Sequence, residues 1–407
     1  MSDASPPWLS VIGLHEDGLA GLGATARALV DGAETLVGDA RMLSYLPEDG
    51  RERLIWPRPL TALFPEIERR RGRPVCVLAS GDPLCHGIGA LIAARFPASE
   101  RVIIPAPTAF ALARARLGWS EGEVETLSLH NRPLETLADA LYPAARLVVL
   151  TRDGGTPAAV AAYLTERGFG ASRLTVFERM NGPDEQRFEG GAEDWPFARL
   201  HDLNVLAIEC HASDDACYYS RVVGLPDEAF LSDGVMTKRE ARALAVSALA
   251  PLPGELLWDV GAGCGTIGIE WLRAAGARAR VLAIETKPER RALIAANRLR
   301  FGADRLDIIA GNVPGALAGL AAPDAIFIGG GLTVAGVLER CLAALKPGGR
   351  LVAHAVTLEA ESVLLNAAAT HGGGLVRVSV ARAEPLGGFT GWRPQMPLTE
   401  WSYRKTR

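Results

Sequence analysis

Three glycines, Gly261, Gly263 and Gly265, alternate with other residues in LLWDVGAGCGTIGIEW (256–271), with Asp259 just before them. Glycines at this spacing let a backbone turn sharply and let a ligand approach without Cβ atoms in the way. The flanks read as a buried strand before the turn and the opening of a helix after it. That is a common cradle for a nucleotide cofactor. Asp259 is placed to anchor the turn or to meet a polar part of the ligand. Glu285 ends the next strand-like run, RVLAIE, where a carboxylate accepts hydrogen bonds from both ribose hydroxyls. The spacing is G-x-G-x-G, whereas dinucleotide sites carry G-x-G-x-x-G, so NAD stands only as the competing cofactor.

The first half of the chain has a turn of a different design. LASGDPLCHGIGA (78–90) follows a strand-like run and holds Gly81 and Asp82, and Asp82 is a candidate cap for the helix after it. Thr108 in PAPTAFALARARLGW stands at a helix start, and Thr151 in VVLTRDGGTPAAVAAYL stands at a strand end beside Gly154 and Gly155. Small polar residues and glycines at several strand ends can line one cleft at the carboxyl edge of a sheet. No G-x-S-x-G nucleophile motif occurs. Nearer the C-terminus, His354 in VAHAVTLE is a candidate proton donor. Thr237-x-x-Glu240 reads as a capping box, and Lys238, Arg239 and Arg242 beside it could face an anionic ligand.

The elements that must position these residues are legible as an alternation. LSVIGL, ETLVGD, PVCVLAS, RVIIPA, RLVVLT and LNVLAIEC read as strands in the first half, with helical patterns such as GATARALVDGA and TPAAVAAYLTERGFG between them. LLWDVGAG, RVLAIET, RLDIIAG, PDAIFIGGG and GGRLVAHAV restart the pattern in the second. Such alternation predicts an α/β architecture with largely parallel sheets. A chain of 407 residues suggests about two domains, and HASDDACYYSRVVGLPDEAFLSDGVMT, without periodicity, is the candidate connection. The expected division is 1–212, a linker at 213–232, and 233–407.

A net charge of −4 argues against nucleic acid as a bulk partner, though a few arginines in one pocket suffice for a small polyanion. Six cysteines without a C-x-x-C pair indicate a reducing compartment and no protein-bound metal. No apolar run is long enough to span a membrane, and the N-terminal residues carry no signal-like block. A cytoplasmic protein is the expectation.

The N-terminal succession VIGLHEDGLAGL, VGDARML, LASGDPLCHGIGA, IPAPTAFALARARLGW, SLHNRP and LTRDGGTPAAVAAYLTERGFG resembles the tetrapyrrole (corrin/porphyrin) methylases of the CbiE type, over about residues 8–210. The resemblance implies a class III methylase fold, two α/β subdomains with S-adenosylmethionine (SAM) in the cleft between them. It assigns SAM contacts to Gly81, Asp82, Thr108 and Thr151. His15 departs from the pattern, standing where many members have glycine.

The second half, through GLPDEAFLSDGVMTKREARAL, PDAIFIGGGL, GGRLVAHAVTLE and RPQMPLTEW, resembles the class I, Rossmann-like methyltransferases of the CbiT type. That implies a second SAM site, with Glu285 on the ribose and Asn312 beside the adenine. Together the halves are similar to fused precorrin methyltransferases of cobalamin biosynthesis. The implied reaction is methylation of precorrin-6Y at C-5 by the N-terminal domain. The C-terminal domain would methylate C-15 and remove the ring C (C-12) acetate carboxyl, giving precorrin-8X. Precorrins are rimmed by carboxylates, so Lys238, Arg239, Arg242 and Arg393 are candidate substrate contacts, with Arg239 joining His354 as a candidate catalytic residue. The resemblance also implies a homo-oligomer. The competing readings are methylation of RNA or protein, and a pair in which one domain binds without catalysing.

Overall fold

The computed structural model describes residues 7–276 and 278–406. Residues 1–6, part of the N-terminal stretch read above as lacking a signal, lie outside the described residues. The chain divides into two compact units, one of 1–132 with 142–217 and one of 133–141 with 218–407.

In the first unit the apolar runs become parallel strands β1 (Leu9–Leu14), β2 (Thr35–Gly38), β3 (Glu52–Ile55), β4 (Val75–Ser80) and β5 (Arg101–Ile104), ordered β3-β2-β4-β1-β5. The period of two explains why β1 is buried along its whole length. Leu9 and Val11 pack on one face with Val77, Ile92 and Phe96, while Ile12 and Leu14 pack on the other with Val30, Leu36 and Leu78. Each such side chain, fully buried, contributes about 1.5–3 kcal/mol. A second sheet follows from β6 (Glu125–Ser128), β7 (Arg146–Leu150), β8 (Arg173–Glu178), β9 (Gln186–Gly191) and β10 (Asn204–Glu209), ordered β6-β7-β10-β8-β9. Only its β6–β7 pair is parallel; the other pairs are antiparallel.

The second unit is built on β11 (Leu256–Val260), β12 (Arg280–Glu285), β13 (Leu306–Ala310), β14 (Ala325–Ile328), β15 (Arg350–Ala355), β16 (Gly374–Val378) and β19 (Leu398–Arg404). Their order is β13-β12-β11-β14-β15-β19-β16, parallel up to β15 and antiparallel beyond it. Strands β17 (Ala381–Leu386) and β18 (Phe389–Pro394) form a separate hairpin. Apolar side chains fill both faces. Leu257, Val281 and Ala283 lie on one, and Trp258, Val260, Leu282 and Ile284 on the other. The chain runs outward from β11 to β13 and returns beside β11 as β14. That reversal leaves a crevice at the carboxyl ends of β11 and β14, where the glycine turn begins.

Candidate functional site

A cavity of about 870 Å³ opens in the second unit, and Asp259, Gly261, Gly263, Glu285 and Asn312 line it together with Lys238 and His354. Residues 80 or more apart in sequence are thus brought to one wall. Gly261 has φ +70°, and a Cβ there would lie 2.6 Å from the backbone nitrogen and Cα of Gly330. The turn therefore depends on glycine for close approach as well as for conformation. Gly263 has φ +60° but open space around a notional Cβ, with nothing nearer than the Val235 carbonyl at 3.9 Å. Gly265 does not line the cavity; it caps the helix Thr266–Ala275 at φ +83° against Ile294.

Glu285 binds the turn from below. Its carboxylate accepts from the Gly263 amide at 2.8 Å and the Lys287 amide at 2.9 Å. Asp259 is 1% exposed and accepts from the Gly268 amide at 3.0 Å through Oδ2, while Oδ1 has no partner among the described residues. Burial pushes its carboxyl up to about 7, opposed by the Gly268 amide and helped by Glu285. Cys264 also lines the cavity, but burial raises its thiol to about 11, so it is no activated nucleophile. His354, 9% exposed, shares a 2.9 Å hydrogen bond from Nε2 with Glu400, and its Nδ1 has no partner among the described residues.

The basic candidates need correction. Arg242 does not face a ligand. It is fully buried, with Nε 2.5 Å from Glu270, an amino group 2.7 Å from the Thr237 carbonyl and 3.0 Å from Asp227, and the guanidinium over Phe230 at 4.9 Å. Glu270 in turn accepts from the amides of Gly224 and Leu225. The pair clamps the segment before the helix Arg239–Leu249 onto the helix Thr266–Ala275. Arg239 lies outside the cavity wall with its side chain against Gly224, which supports neither its catalytic nor its substrate role. Arg393, on β18, is exposed and paired with Glu384 at 3.1 Å. The capping box is also absent. Lys238 takes the N-cap position without a side-chain cap, and Glu240 instead pairs with Arg382 at 2.8 Å.

In the first unit the ends of β1, β4 and β5 converge. The Gly81 amide donates to the Leu14 carbonyl at 2.9 Å, and its carbonyl accepts from Ala106 at 3.2 Å. A Cβ on Gly81 would lie 3.7 Å from both His15 and Thr108, so these three share one corner. Thr108 caps the helix Ala109–Leu117 through Ala111 at 3.0 Å. Asp82 caps no helix; it closes a short turn by accepting from the Leu84 amide at 2.8 Å, and the next helix starts only at Gly89. Thr151, buried at the end of β7, donates to the Asn204 carbonyl at 2.9 Å. A small cavity of about 50 Å³ is lined by His15, Ser80, Ala109, Phe177 and Asn204 among others; Gly81, Asp82, Thr108 and Thr151 are not in its wall. Burial lowers the His15 pKa from its ordinary value, against the pull of Asp17, the Pro107 carbonyl and Glu16. The Nε2 atom of His15 has no partner among the described residues.

Sequence reasoning missed Gly329–Gly331, Phe327 and Glu400. The triple glycine after β14 in PDAIFIGGG was a readable signal, since Gly329, Gly330 and Gly331 all line the large cavity. Glu400 had none, because its role appears only when β19 pairs with β15. Among the described residues, no group of His, Cys, Asp and Glu is arranged to hold a metal, and no helix is long and apolar enough to cross a membrane.

Two family models match the chain: Tetrapyrrole (Corrin/Porphyrin) Methylases over residues 19–195, and Precorrin methyltransferase domain over 228–405. The chain is similar to the precorrin-6Y C(5,15)-methyltransferase [decarboxylating] of Sinorhizobium sp, 47% identical over 98% of this chain and 97% of the relative. The protein of the same description from Mycobacterium tuberculosis is 40% identical over 97% of this chain and 99% of its own length. A solved structure of the C-terminal domain of precorrin-6Y C5,15-methyltransferase from Rhodobacter capsulatus is 43% identical, covering 46% of this chain and 100% of that one at a TM-score of 0.44. With identity at this level running through both units, the chain belongs to the family of decarboxylating precorrin-6Y C(5,15)-methyltransferases.

Proposed function

We propose that this protein methylates precorrin-6Y at C-5 and C-15 and removes the ring C acetate carboxyl, giving precorrin-8X in cobalamin biosynthesis, with SAM as methyl donor. The observation that carries the reading is the near full-length similarity to proteins of that description, joined to a large cavity at the glycine turn of the second unit. We assign C-15 methylation and decarboxylation to the second unit, C-5 methylation to the first, one SAM site to each, and a homo-oligomeric assembly.

The residues present fit SAM in the second unit. SAM carries an ammonium and a sulfonium, and the unpartnered Asp259 Oδ1 is an acceptor waiting in the cavity wall. Gly263 leaves room beside the turn, and Glu285, already fixed by two amides, keeps lone pairs for ribose hydroxyls. Asn312 lies on the same wall and suits the adenine, and Lys238, which shares the wall with Lys287 and Arg290, suits a precorrin carboxylate. When bound, SAM supplies a methyl group already activated by its leaving group, and the electron-rich meso carbon is the nucleophile. The protein has chiefly to align the two, which in the best cases contributes ~7–11 kcal/mol. In the first unit we assign SAM contacts to Gly81, Asp82, Thr108 and Thr151, with Thr108 and Thr151 already engaged as a cap and a strand-end clasp.

Asp259 makes the reading sensitive to pH. A carboxyl raised from 3.8 to about 7 is held protonated by the fold between those values, so the stability it contributes declines as pH rises through that window. A cationic ligand prefers the carboxylate. SAM affinity of the second unit is therefore expected to rise by up to about tenfold per pH unit below pH ~7 and to level off above it. Calorimetric titrations at several pH values check this, and Asp259→Asn should remove the slope. An affinity that ignores pH in the native chain would contradict the assignment.

The functional reading is tested by incubating the full chain with precorrin-6Y and methyl-labelled SAM. Label in the tetrapyrrole together with released carbon dioxide is expected. Label that reaches only an added RNA or protein acceptor would sink it.

A further inference from the structure

We propose that His354 and Glu400 form the proton-delivering dyad of the second unit, His354 as the catalytic donor and Glu400 as its positioning residue. The proposal rests on the decarboxylating function above and supplies a donor for it.

The two side chains meet because β15 and β19 pair antiparallel with His354 opposite Glu400. Both are buried, 9% and 8% exposed, and Nε2 lies 2.9 Å from the carboxylate. A carboxylate only accepts, so Nε2 carries the hydrogen of that bond. Phe327 meets the imidazole edge-on at 5.0 Å and 85°, which fixes its plane. Nδ1 is then the free nitrogen, buried and without a partner, on a residue of the cavity wall. Nδ1 is thus the ring atom that a bound substrate in the cavity can meet. Any second ring proton sits on Nδ1.

The place on the sheet matters equally. β15 is two strands from β11, about 10 Å at the usual strand spacing, so His354 stands well clear of the glycine turn. The cavity wall contributed by this end of the chain is mostly apolar, with Val356, Val378, Val380, Met396 and Leu398 beside the single amide Gln395. That is the part of the cavity suited to a macrocycle, whose binding over this wall would strip water from a carboxylate held against it and so favour its loss as neutral carbon dioxide.

The step balances. The bond between the acetate methylene and its carboxyl carbon breaks, carbon dioxide leaves, and the electron pair passes into the conjugated ring. The Nδ1 proton joins the methylene carbon, which becomes a methyl group, and His354 recovers a proton from water. One proton is consumed for each carbon dioxide released.

The test uses the full chain with precorrin-6Y and SAM in deuterated and ordinary water. His354→Gln is expected to lower the rate at which the decarboxylated product with its new methyl group forms by about 10²-fold or more. Glu400→Gln should lower kcat by roughly one to two orders of magnitude with KM within about twofold, while Glu400→Asp recovers most of the rate. SAM affinity, measured by calorimetry, should be unchanged in all three, and deuterium uptake into the new methyl group should slow in step with kcat. Wild-type rates in folded His354→Gln would overturn the proposal. Equal losses in Glu400→Gln and Glu400→Asp, with SAM binding lost in parallel, would also overturn it by marking a structural pair. Should the wild-type chain itself release no carbon dioxide from precorrin-6Y, the functional reading fails first, which is a separate result.

Discussion

Arg242→Ala is expected to destabilise the second unit by about 3–5 kcal/mol, the cost of leaving a buried charge without its partner. Arg242 is 0% exposed and Glu270 is 1% exposed. Alanine would strand the Glu270 carboxylate among Leu225, Phe230 and Trp271 in the core, with only the Gly224 and Leu225 amides to solvate it. It would also remove the cation over Phe230 and free the Thr237 carbonyl. Lys238 and Thr237 line the cavity, so loosening this segment should weaken SAM binding as well. Denaturant titration followed by tryptophan fluorescence reports it directly, since Trp258, Trp271 and Trp401 are all buried in this unit. Glu270→Gln alone should cost a similar amount. Removing both charges, Arg242→Met with Glu270→Gln, should recover part of the loss. A loss below about 1 kcal/mol for Arg242→Ala would mean that the pair is better solvated than the structure shows.

The two cavity glycines should fail for different reasons. Gly261→Ala drives a Cβ to 2.6 Å from the Gly330 backbone at φ +70°, and neither partner has a side chain to move aside. The expected result is loss of SAM binding by at least about 100-fold in this unit and a fall in its stability of a few kcal/mol. Gly263→Ala meets no protein atom nearer than 3.9 Å, so only the left-handed backbone, about 1–2 kcal/mol, is strained. Its methyl group enters the space where the ligand lies. SAM binding should therefore fall steeply while the fold stays nearly intact. Calorimetry and thermal melting of the two variants separate these outcomes. Equal melting temperatures for both would contradict the close approach of β11 and β14.

These two cases also show what the chain discloses before it folds. LSVIGL was readable as β1 residue for residue, and the runs ending at Val260 and Glu285 as β11 and β12, because burial on both faces leaves an unbroken apolar run. Asp259, Gly261, Gly263 and Glu285 were legible from their places at or near the ends of such runs, Asn312 only through the family resemblance, and all five line the cavity. Arg242 was misread because its partner Glu270 lies 28 residues on, and no local pattern shows that two helices will bring them together. The same limit hid Glu400, 46 residues from His354 and on a strand that joins the sheet antiparallel. β17 and β18 went unread because a free hairpin buries little: Leu386, Phe389 and Trp392 are all exposed, and their apolar character gives no inside-outside alternation. The Thr237 capping box failed because the helix starts after Lys238, one residue later than the motif required.

We propose two separate sites in one chain, each adding one methyl group to the same tetrapyrrole, the second also removing carbon dioxide. The most direct measurement is the position of ¹³C label in the product formed from precorrin-6Y and ¹³C-methyl SAM, read by NMR for the native chain and for Gly263→Ala. The expected result is label at both C-5 and C-15 with a decarboxylated ring C acetate for the native chain, and no C-15 label for the variant. C-15 label in the Gly263→Ala product, at the native rate, would contradict the assignment of that methyl transfer to the glycine-turn cavity.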